Sequence, residues 1–154
     1  MEDKHDLKFL QAASHLTGKG FKVFPVRPGS KFPPLFEGWQ QKASRDPAVI
    51  KNWWTRWPLA NPAILMSDGF FALDVDVRRN GLQTLAILKE KWGALRPTYS
   101  QTTPTGGLHV IYFSSTEIVP SSKDRFGEGI EIKGTGSYVL GAGSVIEGKY
   151  YVEN

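Results

Sequence analysis

The sequence predicts an α/β fold of the α+β kind, and three observations carry that expectation. Up to Trp92 several segments repeat apolar residues at helical spacing, whereas from Thr98 onward short alternating runs are punctuated by glycine. The chain has 154 residues, 40% of them hydrophobic, enough for one sizeable core but not for two independent ones. One domain over residues 1–154 is therefore expected. The apolar fraction excludes an intrinsically disordered chain.

Residues 6–17 place Leu7, Leu10, Ala13 and Leu16 at helical spacing, and Gly18 and Gly20 end the run. A short apolar strand is expected over 21–26. Pro25 and Pro28 then turn the chain into a loop, Gly29-Ser30-Lys31-Phe32-Pro33-Pro34, that carries Lys31. Asp46 before Pro47 reads as a helix start, with an N-cap carboxylate and a proline at the position a first turn tolerates. That helix runs to Arg56, carries Ile50, Trp53 and Trp54 with Trp57 just beyond, and is stopped by Pro58. Residues 63–66 and 70–77 flank Ser67-Asp68-Gly69, so a β-hairpin is expected. Residues 80–92 form an amphipathic helix with Leu82, Leu85, Ala86 and Leu88 inward and Lys89, Glu90 and Lys91 toward water. Strands follow at 99–102, 109–113, 129–133, 138–140 and 149–152.

Composition narrows function. No apolar run reaches the eighteen or so residues a membrane span needs, and the charged start lacks the features of a secretory signal, so a cytoplasmic protein without membrane contact is expected. The absence of cysteine excludes disulfides, thiolate zinc sites and cysteine nucleophiles. His5, His15 and His109 are too scattered for a histidine-rich metal motif. Nineteen Lys and Arg against fifteen Asp and Glu leave a charge of +4, which suits an anionic partner without requiring one.

Three segments carry chemistry. In Phe71-Ala72-Leu73-Asp74-Val75-Asp76-Val77 the alternation puts Asp74 and Asp76 on one face. Two such carboxylates repel, and a divalent cation removes the conflict. Oxygen-only ligation suits Mg²⁺ or Mn²⁺, and paired ions about 3.5 to 4 Å apart can clamp a phosphoryl transfer. The other reading is a solvated face screened by Arg78 and Arg79. Thr103-Pro104-Thr105-Gly106-Gly107-Leu108-His109 is a glycine turn whose N–H groups can face phosphate oxygens, or an ordinary hairpin turn before a half-buried histidine. In Ile130-Glu131-Ile132-Lys133 the isoleucines pack inward, and Glu131 and Lys133 offer a third carboxylate and a cation, or a polar outer face.

These segments, in this order, resemble the Prim-Pol (bifunctional DNA primase/polymerase) domain of the archaeo-eukaryotic primase superfamily over almost the full chain. The resemblance includes Val23-Phe24-Pro25-Val26, Gly29-Ser30-Lys31, Trp39, Asp46-Pro47 with Trp53-Trp54, and Ala60-Asn61-Pro62. It continues through Asp74-Val75-Asp76, the turn to His109, Ile130-Glu131-Ile132-Lys133-Gly134, and Tyr138-Val139-Leu140 leading to Gly143-Ser144. It implies a primase-like catalytic core in which a small N-terminal α/β layer packs on an RRM-like antiparallel sheet, with the active site in the cleft between them. It further implies that Asp74, Asp76 and Glu131 are catalytic and bind two Mg²⁺ or Mn²⁺ ions. His109, Gly106, Gly107, Thr105, Lys133 and Lys31 are implied as nucleotide contacts. Relatives often carry Asp where Glu131 stands, which bears on metal preference.

The expected activity is template-directed transfer of nucleotides from (deoxy)nucleoside triphosphates to a 3′-hydroxyl on single-stranded DNA. The domain is expected to be the N-terminal fragment of a longer plasmid or phage replication protein with a helicase domain. A non-catalytic nucleic-acid-binding module for recruitment and a metal-dependent nuclease are the alternatives. Trp53, Trp54 and Trp57 are read as packing rather than base-stacking residues. Lys42, Arg45, Lys51, Arg56, Arg78, Arg79, Lys123 and Arg125 are candidates for a template-backbone surface.

Overall fold

A computed structural model describes residues 7–154; His5 and the first residue of the expected helix 6–17 lie outside them. The protein is mixed α+β, with four α-helices and exclusively antiparallel strand pairs among the described residues. Two compact units share the chain. One takes residues up to Leu65 together with Tyr138–Tyr151, the other Met66–Ser137 with Val152–Asn154.

The first unit is built on a three-stranded sheet of β1 (Val23–Val26), β2 (Asn61–Leu65) and β8 (Tyr138–Leu140), in the order β1-β2-β8. It is not purely N-terminal, as the sequence suggested, because β8 returns from late in the chain to pair with β2. Helix α1 (Leu7–Gly18) buries Phe9, Ala13 and Leu16, following its apolar period. The short α2 spans Trp39–Lys42. Helix α3 (Pro47–Arg56) starts as its sequence dictates: Asp46 accepts from the Ala48 N–H at 2.9 Å, and proline stands at the first turn. Such a cap is worth about 1 kcal/mol. Ile50 and Trp54 are buried, and the Trp54 indole donates to the Ala60 carbonyl at 2.9 Å. Trp53 is half-buried against Phe36, with ring centroids 5.1 Å apart. Phe24, Val26, Ala63, Leu65, Leu140 and Tyr151 form a core of this unit.

The second unit is a six-stranded sheet. Its strands are β3 (Phe70–Val75), β4 (Ser100–Thr102), β5 (Leu108–Phe113), β6 (Ser122–Lys123), β7 (Ile130–Lys133) and β11 (Val152–Glu153), in the order β11-β4-β5-β3-β7-β6. Helix α4 (Gly81–Trp92) covers one face, where Val75, Leu85 and Ile130 pack with Leu73, Leu88, Leu95 and Leu108. Leu82 and Ala86, expected inward, are exposed; the face that meets the sheet is narrower and runs through Leu85 and Leu88.

The hairpin expected from residues 63–77 does not form. Strand β2 pairs with β1 and β8, whereas β3 pairs with β5 and β7, so both edges of each are already taken. The turn at Asp68 (φ 55°) and Gly69 (φ 89°) exists, but it passes the chain from one sheet to another. Met66 instead exchanges hydrogen bonds with Ser137 and Gly136. The strand expected over 70–77 also stops at Val75, and a 3-10 turn occupies Val77–Arg79. The last expected strand divides at the buried Tyr151 into β10 (Lys149–Tyr150), which pairs with β9 (Val145–Ile146), and β11.

Candidate active site on the six-stranded sheet

Directly opposed residues of an antiparallel pair present their side chains on the same face. Strand β3 lies inside the sheet and carries Asp74. Asp74 is opposed on one side by His109 of β5 and on the other by Glu131 of β7. His109 is opposed in turn by Gln101 of β4, and Gln101 by Glu153 of β11, while Glu131 is opposed by Lys123 of β6. A single polar row therefore crosses the sheet: Glu153, Gln101, His109, Asp74, Glu131, Lys123. It lies on the face away from α4, because Leu73, Val75 and Ile130 point toward that helix.

Like charges directly opposed on neighbouring strands are destabilising, and here Asp74 and Glu131 each have a nitrogen-bearing side chain beside them. The His109 Nε2 lies 3.2 Å from Asp74 Oδ1, and Lys133 Nζ lies 2.9 Å from Glu131 Oε1. Lys133 shares the face with Glu131 by the period of two, opposite Ala72. His109 is buried, at 6% exposure, and its Nδ1 lies 3.1 Å from Gln101 Nε2. Gln101 is fully buried and accepts from the Tyr99 hydroxyl at 2.9 Å.

Asp76 sits just beyond the strand end. Its backbone stays extended (φ −89°, ψ 111°), but its Oδ1 accepts from the Arg78 N–H at 2.9 Å and lies 3.6 Å from Arg78 Nε, so it caps the 3-10 turn. Two glycines hold its backbone. Asp76 N–H donates to the Gly129 carbonyl, and Gly81 N–H donates to the Asp76 carbonyl, each at 2.8 Å. A Cβ on Gly81 would lie 2.6 Å from the Asp76 carbonyl oxygen and 2.8 Å from that of Gly129. This three-way backbone contact requires glycine, and sequence reasoning did not single it out.

The segment entering β7 is fixed by Arg79 and Asp124. The Arg79 guanidinium makes a two-pronged contact with the Asp124 carboxylate, one prong at 3.0 Å, and Asp124 also accepts from the Gly129 N–H at 3.0 Å. The hydrogen bond from Arg79, aided by that of Gly129, holds the Asp124 carboxyl below the ordinary carboxylate range. The same hydrogen bond raises the Arg79 guanidinium. Arg79 is thus engaged in holding this segment.

The turn before β5 closes on itself. Gly106 (φ 88°) donates to the Thr103 carbonyl at 2.9 Å, and Gly107 donates to Thr103 Oγ1 at 3.0 Å, so both N–H groups are used within the turn. Thr105 Oγ1 lies 3.4 Å from Thr103 Oγ1. A Cβ on Gly107 would stand 2.4 Å from the Val75 carbonyl oxygen, so this glycine lets the turn press against the end of β3. Lys31 lies in the first unit, exposed in its loop, where its carbonyl accepts from the Tyr138 hydroxyl at 2.7 Å.

The structure thus brings Asp74, His109, Glu131 and Lys133 together on one sheet face and sets Asp76 at its border. Among the described residues no three His, Cys, Asp or Glu side chains already converge as an ion site. The donor chemistry nonetheless fits a hard divalent cation: the acids offer oxygen only, and two of them stand opposed where a cation relieves their repulsion. Gln101 escaped the sequence reading. The signal was present in the hairpin arithmetic, since a turn pairing Thr102 with Leu108 necessarily sets residue 101 opposite 109.

The fold is mixed α+β with antiparallel sheets, consistent with a primase-like domain. A family model described as bifunctional DNA primase/polymerase, N-terminal, matches residues 13–154, and the chain belongs to that family. No curated protein sequence matches it significantly. Membership supports the primase/polymerase class expected from the sequence, with DNA and nucleotides as the substrates of that class. Among the described residues no helix is long and apolar enough to cross a membrane.

Proposed function

We propose that this domain is a template-directed nucleotidyltransferase, a DNA primase/polymerase that extends a 3′-hydroxyl on single-stranded DNA. The observation that carries the reading is the row in which Asp74 stands between His109 and Glu131, in a chain of this family. The 3′-oxygen forms a bond to the α-phosphorus of a nucleoside triphosphate, the bond from that phosphorus to the bridging oxygen breaks, and pyrophosphate leaves.

Asp74, Asp76 and Glu131 would hold two Mg²⁺ or Mn²⁺ ions. When bound, such ions lower the pKa of the attacking hydroxyl and offset charge at the reacting phosphorus. His109 presents an imidazole N–H to a phosphate oxygen from a buried, hydrogen-bonded position. Lys133 adds positive charge beside Glu131. The Thr105-Gly106-Gly107 turn shapes the triphosphate pocket by its close approach to β3. The test is incubation of labelled primer on single-stranded template with Mg²⁺ or Mn²⁺, with and without nucleotides. Extension that requires added nucleotide supports the reading; shortening of the labelled strand without nucleotide overturns it in favour of a nuclease.

A further inference from the structure

Gln101 is a fully buried amide in a three-residue strand, at a place where a methionine or leucine would fill similar space. Burying an amide is costly unless both its ends find partners. Here both do. The carbonyl end accepts the Tyr99 hydroxyl at 2.9 Å, and the NH₂ end faces His109 Nδ1 at 3.1 Å. An amide NH₂ is a donor only, so the nitrogen it faces must be bare, and the proton of a neutral ring then sits on Nε2. That nitrogen points toward Asp74, 3.2 Å away.

Asp74 imposes the same choice only while its carboxylate faces the ring. Gln101 imposes it whatever Asp74 is doing, because it acts from the opposite edge of the imidazole. Resting on the nucleotidyltransferase reading for its purpose, we infer that Gln101, oriented by Tyr99, is a positioning residue. It keeps His109 as the Nε2–H tautomer, with its donor aimed into the acidic site for a triphosphate oxygen. The chain from Tyr99 through Gln101 to His109 resembles in its logic the outer groups that fix the tautomer of ligating histidines, whose loss typically costs about 10- to 100-fold in affinity or activity.

The test is long-range ¹⁵N–¹H NMR of the histidine ring nitrogens, with His109 assigned by its loss in His109→Ala. The wild-type chain and Asp74→Ala should both show a bare Nδ1 and a protonated Nε2. Adding Gln101→Met to Asp74→Ala should abolish this single tautomer. Gln101→Glu keeps the shape but presents only acceptors, and should put a proton on Nδ1. A protonated Nδ1 in the wild type, or an unchanged Nε2–H tautomer in the double variant, overturns the inference. In extension assays Gln101→Met should raise the nucleotide KM about 10-fold with little change in kcat; an unchanged KM removes the functional role. Absence of incorporation by the wild type refutes the polymerase reading alone, and the NMR result still decides the role of Gln101 at His109.

Discussion

His109 and Asp74 are direct cross-strand partners in the interior of the six-stranded sheet, with the imidazole Nε2 3.2 Å from the carboxylate Oδ1. The pair joins a buried donor to an acid that also faces Glu131. Rigid strands rather than loops therefore hold the three groups, and each can be removed without dismantling the backbone that presents the others.

On the proposed role of His109, replacing it with alanine removes one hydrogen bond to a charged ligand, worth about 1.5 to 3 kcal/mol. The apparent nucleotide KM should rise by about one to two orders of magnitude while kcat changes far less. Steady-state extension kinetics measure both. An unchanged KM would take His109 out of the nucleotide site.

Lys133 and Glu131 form an ion pair exposed by about a third on each side. Pairs of this kind contribute about 0 to 1 kcal/mol, so Lys133→Met should melt within a few degrees of wild type. The variant should reach half-maximal incorporation at a lower Mg²⁺ concentration, since Nζ no longer competes for the carboxylate. A higher Mg²⁺ requirement would contradict this account of Glu131.

Two glycine substitutions should differ sharply in their effect on stability. Gly81→Ala drives a Cβ into the backbone of Asp76 and Gly129, which cannot rotate away, and should cost about 1 to 3 kcal/mol. Gly18→Ala, at the end of α1, meets nothing within 4 Å and should be neutral or stabilising by up to about 1 kcal/mol. Thermal melts compare them, and equal effects would show that the junction around Asp76 is not tight.

Much of this was legible along the chain but not across it. Asp46-Pro47 announces its helix locally, and Asp74, His109 and Glu131 stand out as polar residues in apolar strands. What sequence cannot display is which strand edges meet. The signal at Ser67-Asp68-Gly69 correctly marks a turn, yet a turn says nothing about whether its flanking strands pair, and here each pairs elsewhere. Glu131 is 57 positions from Asp74, and only strand register makes them neighbours. The glycines at 81 and 129 were unreadable for the same reason: the need for them arises from a contact between distant backbones.

The Arg79–Asp124 contact gives a pH dependence of defined sign. The hydrogen bond from Arg79 depresses the Asp124 carboxyl in the folded state, so its contribution is fully present above the unfolded value of about 3.9 and is lost as pH falls through the lower folded value. Arg79 is shifted upward and stays charged throughout that window. Wild type should therefore exceed Asp124→Asn in stability by a constant margin above about pH 5, and the margin should shrink below about pH 4. Urea unfolding across pH 2.5 to 7 measures it; a margin independent of pH would mean the carboxylate is not held in this way.

The most direct measurement is primer extension and priming on single-stranded DNA by wild type and by Asp74→Ala/Asp76→Ala, with circular dichroism confirming the fold of both. Deoxynucleotides and ribonucleotides are compared in Mg²⁺ and in Mn²⁺. The account predicts metal-dependent incorporation by the wild type and none by the double variant at unchanged fold. Full incorporation by the double variant would contradict it.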